Sequence, residues 1–260
     1  MYKIKKHITS ITFLILVFCT FIHKESNGQI NQIGPIVTDR PDVTESPEIV
    51  PMGMYQFELG YQFEKTPGSE SHSFGELMIR IPLVKIVEVR AGLNSFVFLN
   101  ERDREKNGLQ DVSLGLKIKF LEKDHLNLAL LASSSIPTGN DEFGEKKLQP
   151  VFILAASNPI TNNFGIGLNL GINSSIDSGE RFTQTTFSIA SGYSLFEKTG
   201  LYIEYFGKYP NSKDGSNSNF VNGGMTFLIN NNFQLDARFG KGLNGIDLEY
   251  FTGIGTSFRL

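Results

Sequence analysis

From Gly53 to the C-terminus, apolar and polar side chains alternate in run after run. A two-residue period of this kind describes strands with one apolar face and little else. In the first run Tyr55, Phe57, Leu59, Tyr61 and Phe63 point one way, and Gln56, Glu58, Gly60, Gln62 and Glu64 the other. Val112, Leu114, Leu116, Ile118 and Phe120 repeat the pattern against Asp111, Ser113, Gly115, Lys117 and Lys119. Phe164, Ile166, Leu168, Leu170 and Ile172 do so against Gly165, Gly167, Asn169, Gly171 and Asn173. About twelve such runs are readable, near 53–64, 73–82, 86–97, 110–120, 125–136, 149–157, 163–173, 183–195, 200–209, 219–229, 232–240 and 249–260. Runs two, three and six are the least regular, with Phe74, Phe96 and Phe98 off phase. Most runs have the length, roughly ten residues, that a tilted strand needs to cross a bilayer.

Connection lengths and face composition narrow the all-β possibilities. The gaps after odd-numbered runs read as long and polar, for example "LNERDREKNGL" and "PTGNDEFGEKK"; those after even-numbered runs are tight, for example "LEKD" and "INNN". Long loops on the outside and short turns on the periplasmic side are the signature of an outer-membrane barrel, and an even strand number brings both chain ends to the periplasmic side. The polar faces carry Gly, Ser, Asn and Thr with isolated charges, whereas the apolar faces are bulky and aromatic. A soluble sandwich or lipocalin-like barrel also alternates, but so many Phe, Leu and Ile side chains would overfill its interior. Turned outward into lipid they fit, and closure satisfies every backbone group there. The expected fold is all-β, an antiparallel up-and-down transmembrane β-barrel of about twelve strands over 53–260, with outward aromatics such as Tyr193, Tyr205, Tyr209, Phe239 and Tyr250 in interfacial girdles.

The N-terminal end carries Lys3, Lys5 and Lys6 before the apolar run "ITSITFLILVFCTFI". That run is short of the ~20 residues of a spanning helix, and with Ser26 and Gly28 following it reads as a cleaved secretory signal over 1–28. Cys19, the single cysteine, falls inside it, so the exported chain has no thiol or disulfide. A net charge of -3 gives no basic footprint for nucleic acid. The expected location is the bacterial outer membrane, with its lipid as surroundings and the barrel-assembly machinery as a partner.

Residues 29–52 differ in kind. Pro35, Pro41, Pro47 and Pro51 exclude a helix or a central strand. Asp39, Arg40, Asp42 and Glu45 form a compact charged motif. On the strands, Glu58, Glu64, Glu76, Arg80, Glu88, Arg90, Lys117, Lys119, Glu204, Lys208, Asp236, Arg238 and Arg259 fall on the face opposite the apolar stripe. Mixed signs suggest ion pairs around a narrow water path rather than a ring of one sign. Glu58 and Arg259 are expected as partners across the closing strands; the other reading is that both face water. Two readings of 29–52 stand: a lumenal plug pairing with these charges, or a turn-rich periplasmic leader.

The segment "TDRPDVTESPEIVPMGMYQFELGYQF" resembles the opening of the outer-membrane transporter family named for a meta-pathway of phenol degradation (MetA-pathway phenol degradation-like barrels). "SSSIPTGN" at 133–140 is similar to that family's strand ending in a Pro-Thr-Gly turn, and "GKGLNG" at 240–245 to its final hairpin. The resemblance implies an outer-membrane barrel that moves small molecules, hydrophobic or aromatic ones included, and fixes no solute. Gly255, Phe258 and Leu260 look like the C-terminal signal that assembly machinery reads, with Leu260 where phenylalanine is usual.

Catalysis finds little support. After the signal region only His72 and His125 remain, placed at opposite ends of the expected barrel. Neither has a serine and a carboxylate at spacings that would build a lipase triad. No His/Asp/Glu spacing suggests a metal, and no glycine-rich segment a phosphate loop or cofactor site. The expected function is passive transport or binding of small molecules. The alternatives are a closed structural or adhesion barrel whose outer loops, such as 100–108, bind partners, and, less supported, an outer-membrane lipid-modifying enzyme.

Overall fold

The computed structural model describes residues 33–260, apart from 94, 103, 178–179, 212–214 and 245–247. The expected signal segment 1–28, Cys19 and the first residues of 29–52 lie outside the described residues. The strands are β1 (Gln56–Thr66), β2 (Ser69–Phe74), β3 (Leu77–Val84), β4 (Val87–Leu93), β5 (Phe96–Glu101), β6 (Arg104–Leu109), β7 (Val112–Lys123), β8 (Leu126–Ile136), β9 (Gln149–Pro159), β10 (Phe164–Asp177), β11 (Glu180–Phe196), β12 (Thr199–Pro210), β13 (Ser218–Asn230), β14 (Phe233–Gly242) and β15 (Tyr250–Arg259). They make twelve staves, because β2 runs on into β3, β4 into β5 and β6 into β7, with each pair sharing its neighbours. Every stave is antiparallel to the next, and β15 pairs with β1 from Gln56↔Arg259 to Lys65↔Tyr250, closing the barrel. Each of the twelve expected runs corresponds to one stave.

The three interrupted staves explain the irregular phases. Phe74 stands opposite Tyr61, and Ile79 opposite Phe57, so one extra residue sits between the two pairings. Gly75, at φ +75°, turns the chain there, and the amides of Gly75 and Glu76 both donate to Gly60 O, at 3.0 and 3.1 Å. The same change of parity recurs from Leu93 to Phe96 and from Leu109 to Val112, where the staves stay in register with one another, and Gln110 N donates to Ser95 O at 3.0 Å. Three neighbouring staves therefore bulge at one level. Sequence parity changes across the break, yet each outward face continues: Phe74 and Phe98 meet edge to face on it, 5.8 Å apart.

The faces are those of a membrane barrel. Leu116 and Phe120 are 44% and 56% exposed, while Lys117 between them is 0% exposed. Large apolar groups outside and charges buried inside reverse the arrangement of a soluble protein.

Turns at the end bearing both described chain ends are tight, as expected, at 85–86, 124–125, 160–163, 197–198 and 231–232. The opposite end departs from expectation. The stretch 99–109 is not a loop but the hairpin β5–β6, turning at Arg102 with φ +47°. Its polar residues lie on both faces, and Lys106 reaches Glu101 at 3.7 Å, which marks strands continuing beyond the apolar band. The connection after β1 is tight for the same reason, and β10 pairs with β11 as far as Asp177↔Glu180. Long connections remain at 137–148, 211–217 and 243–249. The first is pinned by Asp111, whose carboxylate accepts the amides of Thr138, Gly139 and Glu145 at 2.8–2.9 Å. "PTGN" is thus a loop fastened to the neighbouring stave.

Candidate functional site

Residues 34–54 contain no strand. They enter the barrel beside the 231–232 turn, where Ile36 N donates to Asn231 O (2.8 Å) and Arg259 Nη2 to Gly34 O (2.7 Å). They leave beside the last strand, where Tyr55 N donates to Leu260 O (2.8 Å). Between these points the chain loops through the half of the lumen nearest both its ends. Its prolines remove backbone donors, and Pro41 and Pro47 are fully buried. The donors left over cannot join a ladder, so inward side chains accept them. Glu58 takes the amides of Asp39 and Arg40, Glu204 that of Val43, Asn169 that of Glu45 and Glu88 that of Val50. Carboxylates on β1, β4 and β12 thus act as anchors for proline-interrupted backbone.

Side chains of the segment meet charges of opposite sign. Asp39 lies 2.9 Å from both Arg90 and Lys117 and 3.1 Å from Arg80. Glu45 takes Arg90 at 2.6 Å, and Glu48 takes Lys119 at 2.8 Å. Arg80, fully buried, also holds Glu88 (2.8 Å) and Glu58 (3.0 Å) on the barrel wall. Burial alone would raise the Asp39 carboxyl, but Arg80, Lys117 and Arg90 hold it well below the usual carboxylate range. Removing one partner from such a cluster strands a buried charge, which typically costs about 3–5 kcal/mol.

Arg40 reaches the other way, to Glu76 at 2.9 Å and Asp236 at 3.4 Å. Its guanidinium lies on Gly60 and Gly255, which face each other across the closing seam. Arg238 donates to Pro41 O at 2.8 Å and stands 4.0 Å from Glu76. This seam pocket is less completely paired than the basic one: Asp236 Oδ2 and Arg40 Nε are buried without a hydrogen-bond partner. A cavity of about 170 Å³ separates the two pockets, lined by Asp39, Arg40, Glu45, Glu76 and Arg90 among others.

A larger cavity, about 490 Å³, lies on the far side of the segment against β8–β12. Asp42, Thr44, Gly167, Ala190 and Tyr202 contribute to its wall. Asp42 lines this cavity and makes no ion pair among the described residues; burial and the nearby Glu204 push its carboxyl well above its ordinary value. Thr44 Oγ1 sits 2.8 Å from Ser188 Oγ. Toward the other mouth, Phe206, Phe220 and Phe251 cluster on the inward face, with Arg238 over Phe251 at 5.6 Å and Lys208 over Phe220 at 5.9 Å.

The structure thus brings together Asp39, Arg40, Glu45, Glu58, Arg80, Glu88, Arg90, Asp236 and Arg238, and sets Asp42 apart. Arg259 and Glu58 do not pair. Arg259 stands opposite Gln56 and turns to Asn232 and Gly34, while Glu58 is taken by Arg80. Gly255 underlies Arg40, Phe258 stacks on Phe57 at 5.0 Å, and Leu260 exchanges backbone hydrogen bonds with Tyr55. His72 lies in β2, not in a loop, and bonds Tyr61 Oη at 2.9 Å among outward rings. The alternation did not single out Glu48, Thr44, Asn169 or Ser188, nor the inward phenylalanines, although Phe206 and Phe251 occupy the polar phase of their strands.

The described barrel is similar to solved outer-membrane channels. The porin NanC aligns with a TM-score of 0.56 at 10% identity, covering 79% of this chain and all of its own. The porin KdgM, solved with disordered oligogalacturonate, aligns at 0.54 and 10% identity over 77% of this chain and 98% of its own. At such identity the likeness is one of fold. No curated protein matches in sequence. The family model described as "Putative MetA-pathway of phenol degradation" matches residues 38–260, every strand and most of the lumenal segment, and the chain belongs to that family.

Proposed function

We propose that the protein is a passive, non-enzymatic channel for small molecules in the bacterial outer membrane, closed from within by residues 34–54. The carrying observation is the segment's mode of attachment. Between its fastened ends it is held by side chains, with no ladder hydrogen bonds along its course, so its contacts there can be exchanged for water one at a time. A strand of the barrel cannot be withdrawn in that way. The porin-like architecture supports transport at the level of fold. An export signal over 1–28 and recognition of Gly255, Phe258 and Leu260 by assembly machinery belong to the same proposal.

The filled lumen also favours a second reading, a closed scaffold whose β5–β6 hairpin binds partners. One experiment separates the two. Thr44→Cys with Ser188→Cys, in a Cys19→Ser background, would tie the segment to β11, since the native oxygens are 2.8 Å apart. Single-channel steps should be absent when the pair is oxidised and appear on reduction. Silence in both states would favour the scaffold, and equal steps in both would mean that solute bypasses the segment.

A further inference from the structure

We infer that the open lumen selects zwitterionic solutes of about dipeptide size, an amino acid or short peptide. The solute carboxylate would replace Asp39 on Arg90 and Lys117, and its cationic group would replace Arg40 between Glu76 and Asp236. This rests on the reading of residues 34–54 as a closure.

The argument starts from what the wall keeps once the segment leaves. Arg80 retains Glu58 and Glu88, and Lys119 retains Glu122 at 2.9 Å. Arg90 and Lys117 lose Asp39, Glu45 and, for Lys117, the Ser46 carbonyl; among the described residues, their ion pairs are all with the segment. At the seam, Glu76 and Asp236 are left with Arg238, one cation for two carboxylates. The emptied lumen therefore holds a basic pocket and an acidic pocket side by side. The side chains of consecutive residues, Asp39 and Arg40, reach both pockets at once, and one cavity is lined by Asp39, Arg40, Glu76 and Arg90, so the two charges stand within the reach of a short peptide.

The acidic pocket carries a second, independent mark. The Asp236 side chain is 0% exposed, its Oδ2 has no hydrogen-bond partner, and its contact with Arg40 is long at 3.4 Å. Gly60 and Gly255 clear the floor in front of it. An ammonium group is more compact than a guanidinium and can approach that carboxylate more closely. An anion alone would leave Glu76 and Asp236 facing it. An uncharged hydrocarbon would desolvate both pockets and pair neither. Only a solute with both charges satisfies both.

The test uses the full chain in liposomes, unlocked by Asp39→Asn with Arg40→Gln, and four solutes of similar size. These are glycylglycine (zwitterion), N-acetylglycine (anion), glycylglycinamide (cation) and N-acetylglycinamide (neutral). Swelling should show glycylglycine entering roughly ten-fold faster than the neutral amide, as paired charge-assisted contacts permit. Adding Arg90→Gln and Lys117→Gln should bring that ratio to about one. Equal entry of all four solutes, or a preference that survives the wall substitutions, would overturn the inference and leave the channel standing. No entry by any solute would instead overturn the closure reading. A check free of variants is available in the wild-type chain: glycylglycine, but not N-acetylglycinamide, should speed protease cutting within 34–54. Equal rates with the two solutes would count against the inference.

Discussion

Arg40 lies across the closing seam because Gly60 and Gly255 meet there without side chains. A Cβ on residue 255 would stand 2.5 Å from Arg40 Nε and 2.8 Å from Asp236 Oδ1. Gly255→Ala should therefore displace the guanidinium at a cost of about 1–3 kcal/mol, the range for overpacking. The expected result is faster protease cutting within 34–54, with the heat-modifiable barrel band retained. Gly192→Ala, where an added Cβ meets nothing within 4 Å, is the control that should change nothing. At this scale alternation placed Glu58, Arg80, Glu88, Arg90, Asp236 and Arg238 inside, because parity alone decides which face a strand residue occupies. Partners were another matter. Arg259 and Glu58 sit at the same end of paired strands, yet Arg80 takes Glu58, because it approaches from the neighbouring stave, where Glu88, Val37 O and Glu48 O accept its other donors. Pairing depends on which staves adjoin and on the course of a proline-interrupted loop, and neither leaves a periodic trace in the sequence.

The coordinated bulge across three staves governs the elements in the same way. Outward residues recur three apart at Phe74 and Leu77, Leu93 and Phe96, and Leu109 and Val112, so each break shifts parity by one. Deleting Gly75 would restore a single parity along its stave. Either β2 would flip, turning Phe74 inward, or β3 would flip, carrying Arg80 into lipid. An arginine on the lipid face near mid-bilayer costs about 2–4 kcal/mol, and Glu58 and Glu88 would lose their cation as well. The deletion should abolish the folded, heat-modifiable form, while Gly165→Ala on β10, where an added Cβ makes only ordinary contacts, should preserve it. Twelve staves were legible because each is long and amphipathic. The bulges showed only as off-phase phenylalanines, and the β5–β6 hairpin was hidden because strands that rise into water lose their apolar face and read as loops.

The whole molecule is asymmetric along its axis, and the asymmetry states where control of the lumen resides. Both described chain ends, the tight turns and the mouth by which residues 34–54 enter lie at one end; the extended hairpins and long connections lie at the other. A segment that enters and leaves by the same mouth can be withdrawn only through that mouth, since its two ends are fastened there to Asn231 and to the last strand. If the hairpin end faces the medium, opening is controlled from the periplasm and solute arriving from outside first meets the aromatic cluster of Phe206, Phe220 and Phe251. Single cysteines in a Cys19→Ser background test this. Lys106→Cys, on β6, should react with a membrane-impermeant maleimide on intact cells, and Lys123→Cys, beside the 124–125 turn, only after the outer membrane is permeabilised. The reverse labelling would put the segment's mouth on the cell surface, where an external ligand could pull it out, and would exchange a periplasmic gate for a surface-triggered one.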